Sequence, residues 1–446
     1  MSNSSSWSNW HDAEDHVTRA MAHFERGRWA EAETELRKAL AVRPDRGEWQ
    51  FNLGLTLEAA GRDPEAVECY RRAAELMPEE ADPLLAAGAL SHGLGEHEEA
   101  IALLERAALL RRDDDGIYAI WIESLVALDR LEEAETVFHL ALQGCTECPR
   151  SLAAVAESLV RRGLTARAEW CLREAMRLEP TLPRLRARLA GVFARMGRSE
   201  RAVQLYWREL RENPGDIETL FDFGNLLAQL GRLAEAEERF RRILELEPAN
   251  VAAHRRLGDL ALQTGRLDRS LLEYELVAKL DPAADGIHLD VAECLLALGR
   301  SEEAWEHLQA ELDLRHAEES DPDPARFGSL LLRAGKPEKA TPLLELAAET
   351  APTAETLRLL ALAKYETGDL RGGVRVSRAA LRLDPKCVRS HHNIALATLR
   401  LGRPRSASAW MRAGLKIDRH DDGLRRLRMR ILAARVLAWV GVRARF

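Results

Sequence analysis

The sequence predicts an all-α protein built as a long stack of antiparallel helix hairpins, and three observations carry this prediction. Charged residues make up 30% of the 446 positions and aromatic residues only 5%, with the helix-favouring Ala, Leu, Glu and Arg dominant. Glycine recurs at a step of 34 residues over most of the chain. Small residues and prolines recur in register with it. Such a period is typical of folds that add units to one continuous core.

The glycine ladder predicts where the first helix of each hairpin ends. Glycine adopts a left-handed backbone without steric cost, and that conformation ends helices well. Asp129 stands where one rung is missing, and the steps after Gly299 are 36, 33 and 34 residues. The ladder comprises Gly27, Gly61, Gly95, Gly163, Gly197, Gly231, Gly265, Gly299, Gly335, Gly368 and Gly402.

Three further ladders complete the pattern. A small residue lies seven residues before most turns, as at Gly54 and Gly258, and another follows five residues after them, as at Ala66. A proline follows most turns after seventeen residues, as at Pro78 and Pro248. Proline cannot continue a helix, so it is predicted to end the second helix of the hairpin. The small residues are predicted to lie where two helix backbones approach closely.

These ladders resemble the tetratricopeptide-repeat (TPR) family, whose unit is a helix–turn–helix of about 34 residues. The resemblance covers about Ala13 to His420 and corresponds to about twelve tandem repeats. It implies a right-handed superhelical solenoid of antiparallel helix hairpins with a C-terminal capping helix. One repeat matches almost completely, through Leu53, Gly54, Gly61, Ala66, Tyr70, Ala73 and Pro78.

Departures from the pattern predict four segments. Residues 1–12 form a polar N-terminal tail, 13–318 form repeats one to nine, 319–421 form repeats ten to twelve, and 422–446 form a basic amphipathic helix. Two Asp-Pro pairs within Glu318–Pro324 break helices, so a loosened joint is expected there. The tail carries Trp7 and Trp10, and either loose docking or a short recognition motif fits it.

The resemblance implies a non-enzymatic scaffold or adaptor that binds partner segments in a concave groove. No phosphate-binding loop, nucleophile elbow or dinucleotide fingerprint occurs in the sequence. No metal or other cofactor is expected either, because the one metal-like pair, Cys145 and Cys148, lacks a second pair to complete a zinc site. With six cysteines, no signal peptide and no long apolar run, a cytoplasmic protein is expected.

The first of two predicted groove surfaces is apolar. In this family the first helices of the hairpins face inward, and in repeats one to three those positions are apolar around one asparagine. A row of apolar side chains facing water is costly unless something covers it. An apolar partner segment, the N-terminal tail or tighter coiling would provide the cover. The candidate residues are Val17, Met21, Phe51, Asn52, Leu55 and Leu85.

The second predicted groove surface is charged and belongs to repeats six to ten. Two interpretations stay open: the side chains pair with one another in Arg–Asp ladders, or they bind the polar groups of an extended peptide, since arginine forks suit carboxylates. The candidate residues are Arg188, Asp222, Asn225, Arg255, Arg256, Asp259, Asp290, Glu293 and Arg326.

The C-terminal region is strongly basic. From Arg371 to Phe446 there are 19 Lys and Arg against 4 Asp and Glu, although the whole chain carries −8. A capping helix, a helix for self-association or partner docking, and a helix on an anionic membrane surface all fit this segment. Nucleic acid is a weaker expectation, since aromatic residues are not interleaved. The candidate residues are Arg425, Arg426, Arg428, Arg430, Arg435, Trp439 and Arg443. An alternative function is therefore a structural subunit that assembles through this helix.

Overall fold

The computed structural model describes the backbone of residues 4–315 and 323–439 and the side chains of residues 13–314 and 323–436. Every regular element in these ranges is a helix, and they contain no strand. The all-α prediction is confirmed. The chain divides into two compact units, Met1–Gln229 and Leu230–Phe446.

The first unit carries thirteen helices in its described part. They are α1 (Ser4–Phe24), α2 (Trp29–Val42), α3 (Gly47–Ala59), α4 (Asp63–Leu76), α5 (Asp82–Gly93), α6 (His97–Leu110), α7 (Asp115–Ala127), α8 (Leu131–Gly144), α9 (Pro149–Arg161), α10 (Thr165–Leu178), α11 (Leu185–Arg195), α12 (Ser199–Glu212) and α13 (Ile217–Gln229).

The second unit carries twelve helices in its described part. They are α14 (Leu233–Leu246), α15 (Val251–Gln263), α16 (Leu267–Leu280), α17 (Ile287–Ala297), α18 (Ser301–Arg315), α19 (Pro324–Arg333), α20 (Pro337–Thr350), α21 (Ala354–Glu366), α22 (Leu370–Leu383), α23 (Val388–Arg400), α24 (Pro404–Ile417) and α25 (Asp422–Trp439).

The turn glycines adopt the predicted conformation. All eleven have positive φ, between 68° and 89°. At the end of α3, the amide of Gly61 donates to the carbonyl of Glu58 and the amide of Arg62 donates to that of Leu57, both at 2.9 Å. These bonds satisfy carbonyls that the helix leaves without partners. Asp129 takes the same conformation, with φ of 58°, so the fourth hairpin closes without a glycine.

The two helices of a hairpin approach closely at a small residue. A Cβ atom on Gly54 would lie 2.5 Å from Cε1 of Tyr70, and one on Gly258 would lie equally close to Cε1 of Tyr274. Both rings are almost fully buried. Any larger side chain at the glycine would therefore push the ring and its helix away.

In the second unit the core continues across the predicted joint. Leu295, Leu308, Phe327 and Leu331 belong to one buried cluster that links α17 and α18 to α19. The side chain of Asp323 caps α19 by accepting from the amide of Arg326 at 2.9 Å. Residues 316–322 of the joint lie outside the described residues. The division into units falls elsewhere, between α13 and α14.

The first helix is longer than the first repeat requires. Helix α1 begins at Ser4, so its backbone runs through most of the segment interpreted as a polar tail. The side chains of Trp7 and Trp10 lie outside the described side chains. Whether they cover the apolar groove surface of repeats one to three or recognise a partner therefore stays a prediction.

A side-chain contact that involves a histidine recurs at two fixed positions, eleven residues before and eight after the turn glycine. In repeats one and eight, Nδ1 of His16 lies 2.6 Å from Oε2 of Glu35, and Nδ1 of His254 lies 2.7 Å from Oε2 of Glu273. In repeat nine both positions are histidines, and their Nδ1 atoms lie 3.1 Å apart. Burial, together with the neighbouring His288, lowers the pKa of His307.

We expect Asp129→Gly to stabilise the first unit by about 0.5–1 kcal/mol, because glycine relieves the left-handed strain of an L-residue. The substitution removes an ion pair in which Oδ1 of Asp129 lies 3.7 Å from Nη1 of Arg161. Because the aspartate side chain is 79% exposed, this pair contributes little to stability. The midpoint of thermal unfolding should rise. The matched variant Gly95→Asp should lower it, and a lowered midpoint for Asp129→Gly would contradict this account.

We expect His307→Glu to make the second unit less sensitive to acid. The pKa of His307 in the folded chain lies below its usual 6.5, so protonation favours the unfolded state and stability falls as the pH drops through that range. The variant restores the His–Glu pair of repeats one and eight. Its unfolding midpoint should fall less than that of the wild type between pH 7.5 and 5.5. The exposed control His139→Glu should retain the wild-type slope.

Candidate binding grooves

An open apolar pocket lies between the first hairpin and α3. It has a volume of about 350 Å³ and includes three of the predicted residues, Met21, Asn52 and Leu55, beside Phe24 and Leu36. The side chain of Met21 is 54% exposed and that of Leu55 is 37% exposed. These apolar side chains face an open volume large enough for side chains of another segment.

The other three predicted apolar residues do not line this pocket. Val17 and Leu85 are half-buried. The ring of Phe51 packs against Tyr70 with their centroids 5.3 Å apart, so its contact is within its own hairpin. The structure therefore brings together about half of the predicted apolar set.

A larger groove lies further along the first unit and is formed mainly by the first helices of successive hairpins. Its volume is about 700 Å³. Three predicted residues line it, namely Arg188 on α11 and Asp222 and Asn225 on α13. Its remaining lining includes the alanines of α9, Ala153, Ala154 and Ala156. Because these side chains on α9 are small, they leave an open volume. Longer side chains on the neighbouring helices surround it.

Ion pairs cross this groove between helices that are not adjacent in sequence. Nη2 of Arg188 lies 3.0 Å from Oε1 of Glu123, which belongs to α7 two hairpins earlier. Arg184 pairs with Glu218 and lies 3.8 Å from Oδ2 of Asp222. The arginine of the first pair is 40% exposed and its glutamate 35%, so this pair contributes little to stability. A bound segment could therefore replace such a contact at small cost.

Sequence reasoning missed five charged residues of this groove. They are Glu123, Glu157, Arg184, Arg195 and Glu218. A signal for two of them exists, since Glu123 and Glu157 hold the same position in their repeats as Asn225. Arg184 has no such signal in the sequence. It lies just before α11 begins, where its backbone is left-handed, with φ of 62°.

In the second unit the predicted charged residues pair with one another. Nη2 of Arg255 lies 2.9 Å from Oδ2 of Asp290, while Nη2 of Arg326 lies 2.7 Å from both Oδ1 of Asp290 and Oε2 of Glu293. Burial raises the pKa of the Asp290 carboxyl, and the two guanidinium groups oppose that shift. This network joins α15, α17 and α19 in the manner of an Arg–Asp ladder.

A second, shorter chain of contacts lies beside this network. Nη1 of Arg256 lies 3.2 Å from Oδ2 of Asp259, and the hydroxyl of Tyr274 donates to Oδ1 of the same carboxylate at 2.7 Å. These contacts connect the groove side of α15 to the buried ring of α16. The predicted groove residues of this unit therefore already have partners within the chain.

The C-terminal helix α25 packs as a cap through one apolar stripe. Leu424, Leu427, Ile431 and Ala434 are buried against α23 and α24. A second set remains open to solvent: Met429 is 70% exposed and Val436 is 61% exposed. The arginines at 425, 426, 428, 430 and 435 are all exposed. The side chain of Trp439 and all of Arg443 lie outside the described residues.

The Cys145 and Cys148 pair lies at a tight junction. Both thiols are buried, and Sγ of Cys145 lies 3.8 Å from the carbonyl oxygen of Arg112. Burial raises the pKa of Cys145 to about 11, which keeps the thiol protonated at neutral pH. Among the residues the structure describes, no group of three or more His, Cys, Asp or Glu is placed to hold a metal ion. The same residues include no helix that is both long and apolar enough to cross a membrane.

Comparison with known proteins gives matches of three kinds: family models, a curated relative and solved structures. Two family models described as tetratricopeptide repeat match residues 17–83, 221–286 and 358–422, and residues 185–218, together about half of the chain. The human protein O-mannosyl-transferase TMTC1 is 31% identical over 107 residues, which are 23% of this chain and 12% of that protein. The chain therefore spans only about an eighth of the curated relative's length.

Solved structures with similar folds include three of interest. Yeast Tom70 is 16% identical, with 96% of each chain covered and a TM-score of 0.38. A monomeric mutant of IFIT1 with Gppp-AAAA is 16% identical, with 83% of this chain and 90% of that chain covered and a TM-score of 0.47. The thermophilic TPR protein TTC0263 of Thermus thermophilus is 24% identical, with 41% of this chain and all of that chain covered and a TM-score of 0.37.

Proposed function

Because the chain belongs to the tetratricopeptide-repeat family, we propose that it is a non-enzymatic scaffold that holds a segment of a partner protein in the groove of its first helices. The observation that carries the proposal is the groove of about 700 Å³ in the first unit. A floor of alanines and a rim of charged and amide side chains suit an extended peptide. Its backbone would bond to the rim, while small side chains would fit the floor.

The apolar pocket beside α1 supports the same function. Met21 and Leu55 would receive one or two apolar side chains of the segment, which removes their exposed surface from water at about 25 cal/mol per Å². We propose no transferase activity, since the match to the human transferase covers only 12% of that protein. Location in the cytoplasm is part of this proposal, and the free cysteines agree with a reducing compartment.

A second candidate function is a structural subunit that self-associates, or docks on a larger complex or a membrane surface, through α25. The observation that favours it is the exposed set of Met429, Leu432 and Val436, three and four residues apart and surrounded by arginines. Such a stripe on one helix face suits a helix groove or a lipid surface. The buried stripe of the same helix remains available for capping.

The groove proposal is tested with Asn225→Trp, which places a large ring in the cavity. Peptides are first selected from a displayed random library on the full-length wild-type protein, and their affinities are then measured by fluorescence anisotropy. We expect the variant to lose at least about tenfold in affinity, ~1.4 kcal/mol. The control Arg208→Trp adds the same ring to an exposed position of α12 outside the groove and should bind as the wild type does. A selection that enriches no peptide, or equal binding by both variants, contradicts the proposal.

The assembly alternative is tested with Leu432→Glu plus Val436→Glu, which leaves the buried stripe of α25 intact. If α25 mediates assembly, the variant should lose concentration-dependent association in sedimentation velocity, or co-sedimentation with phosphatidylserine vesicles. Circular dichroism should show unchanged helix content. A wild-type protein that is monomeric and does not bind vesicles excludes the alternative.

A further inference from the structure

A second groove lies between the second helices of repeats eleven and twelve, and its charge is of one sign. Its volume is about 440 Å³. Four arginines of α22 line it, spaced four, three and four residues apart, which places them on one helix face. A fifth precedes α24, and the described residues that line the groove include no acidic one. The arginines are Arg371, Arg375, Arg378, Arg382 and Arg403.

None of these five arginines forms an ion pair with a carboxylate among the described residues. All five are exposed. Arg378 lies over the ring of Trp410, 5.6 Å from its centroid, which orients its guanidinium group without neutralising it. The groove thus concentrates five positive charges that the described part of the chain does not balance locally.

The equivalent groove between repeats two and three shows how carboxylates can neutralise such arginines. It has a volume of about 280 Å³ and is lined by Arg71 and Arg106 together with Glu75 and Glu99. Nη1 of Arg71 lies 2.8 Å from Oε1 of Glu99. Arg71 and Arg378 hold the same position in their repeats, ten residues after the turn glycine. The two grooves therefore differ in the groups that face an equivalent arginine.

The residues that replace the carboxylates cannot accept a guanidinium fork. Ser406 stands at the position of Glu99, and Arg382 stands at the position of Glu75. The hydroxyl of Ser406 carries no charge, and Arg382 adds a further positive charge. The groove between repeats eleven and twelve thus retains an arginine, Arg378, at the position of Arg71, but it lacks both carboxylates that face Arg71 between repeats two and three.

Arg403 has lost its partners in the same way. It follows the turn glycine directly, as Arg62 does. Nη1 of Arg62 lies 2.7 Å from Oε2 of Glu33 in the preceding repeat, and its Nε donates to Glu65 at 2.6 Å. For Arg403 these two positions are occupied by Val374 and Ser406. The donors of this inter-repeat ion pair are retained while both acceptors are replaced.

We propose that this groove binds a carboxylate-rich segment of a partner protein, whose Asp and Glu side chains take the places that Glu33, Glu65 and Glu99 fill elsewhere in the chain. Arginine forks bind carboxylates through two parallel bonds, so the donor set matches this ligand. Arg371 to Arg382 extend over about 17 Å at 1.5 Å per residue, the length of five or six residues of an extended segment. The site belongs to second helices and is separate from the groove of the first helices.

The test uses the full-length protein, a fluorescein-labelled octaglutamate peptide and fluorescence anisotropy. Ser406→Glu supplies the missing carboxylate within the chain, at the position where Glu99 pairs with Arg71. We expect it to lower the affinity for the peptide at least tenfold. The control Ala409→Glu makes the same change of charge at an exposed position of α24 outside the groove and should stay within twofold of the wild type.

A second variant keeps the test valid if Ser406→Glu does not fold, as judged by circular dichroism. Arg375→Gln plus Arg382→Gln removes two donors from exposed positions and should lower the affinity to a similar extent. The affinity of the wild type should also fall as the salt concentration rises. Equal binding of octaglutamate by the wild type and by either folded groove variant overturns the proposal.

Three parallel measurements separate other sources of negative charge. Inorganic phosphate, a single-stranded octathymidylate and vesicles containing phosphatidylserine are tested against the same proteins. Tighter binding of any of these than of octaglutamate, with the same sensitivity to Ser406→Glu, overturns the assignment to an acidic protein segment. Self-association of the wild type that is lost in Ser406→Glu would instead assign the groove to a second copy. None of these readouts depends on the first-helix groove, so the two proposals fail separately.

Discussion

The close approach of two helices within each hairpin is the contact on which the rest of the structure depends. Where Gly54 meets the ring of Tyr70, a single added Cβ would lie 2.5 Å from a ring carbon. This contact determines the spacing of the hairpin. The spacing in turn determines which side chains of the first helix are left to line a groove, as Asn52 and Leu55 do. Binding surfaces in this family are thus a consequence of positions that the core does not use.

Ion pairs between neighbouring repeats form a second regular contact. An arginine after the turn reaches the preceding second helix, as in the Arg62–Glu33 pair at 2.7 Å and the Arg266–Glu237 pair at 3.0 Å. Each such pair is partly exposed and contributes little by itself. The larger effect of these ion pairs is to neutralise the grooves between second helices. Where the acceptors are replaced, as around Arg403, packing is retained and only the neutralisation is lost.

The hairpins and their turns could be predicted from sequence because they depend on local chemistry at a fixed period. The positive φ of Gly61 follows from its place in the ladder, and Asp129 adopts the same conformation because the hairpin geometry requires it. The partners of groove residues could not be predicted in the same way. Arg188 pairs with Glu123, 65 residues away and two hairpins earlier, which a nearest-neighbour interpretation does not identify.

The groove between the second helices of repeats eleven and twelve shows a further limit of sequence reasoning. The basic character of the region was evident from composition, but the family pattern directs attention to the first helices, and these arginines lie on a second helix. Their meaning appears only by comparison with an equivalent groove of the same chain, where Arg71 binds Glu99. A repeat protein provides this comparison internally, because each unit is a control for the others. A charge that is paired in one repeat and unpaired at the same position in another therefore indicates a ligand more strongly than net charge does.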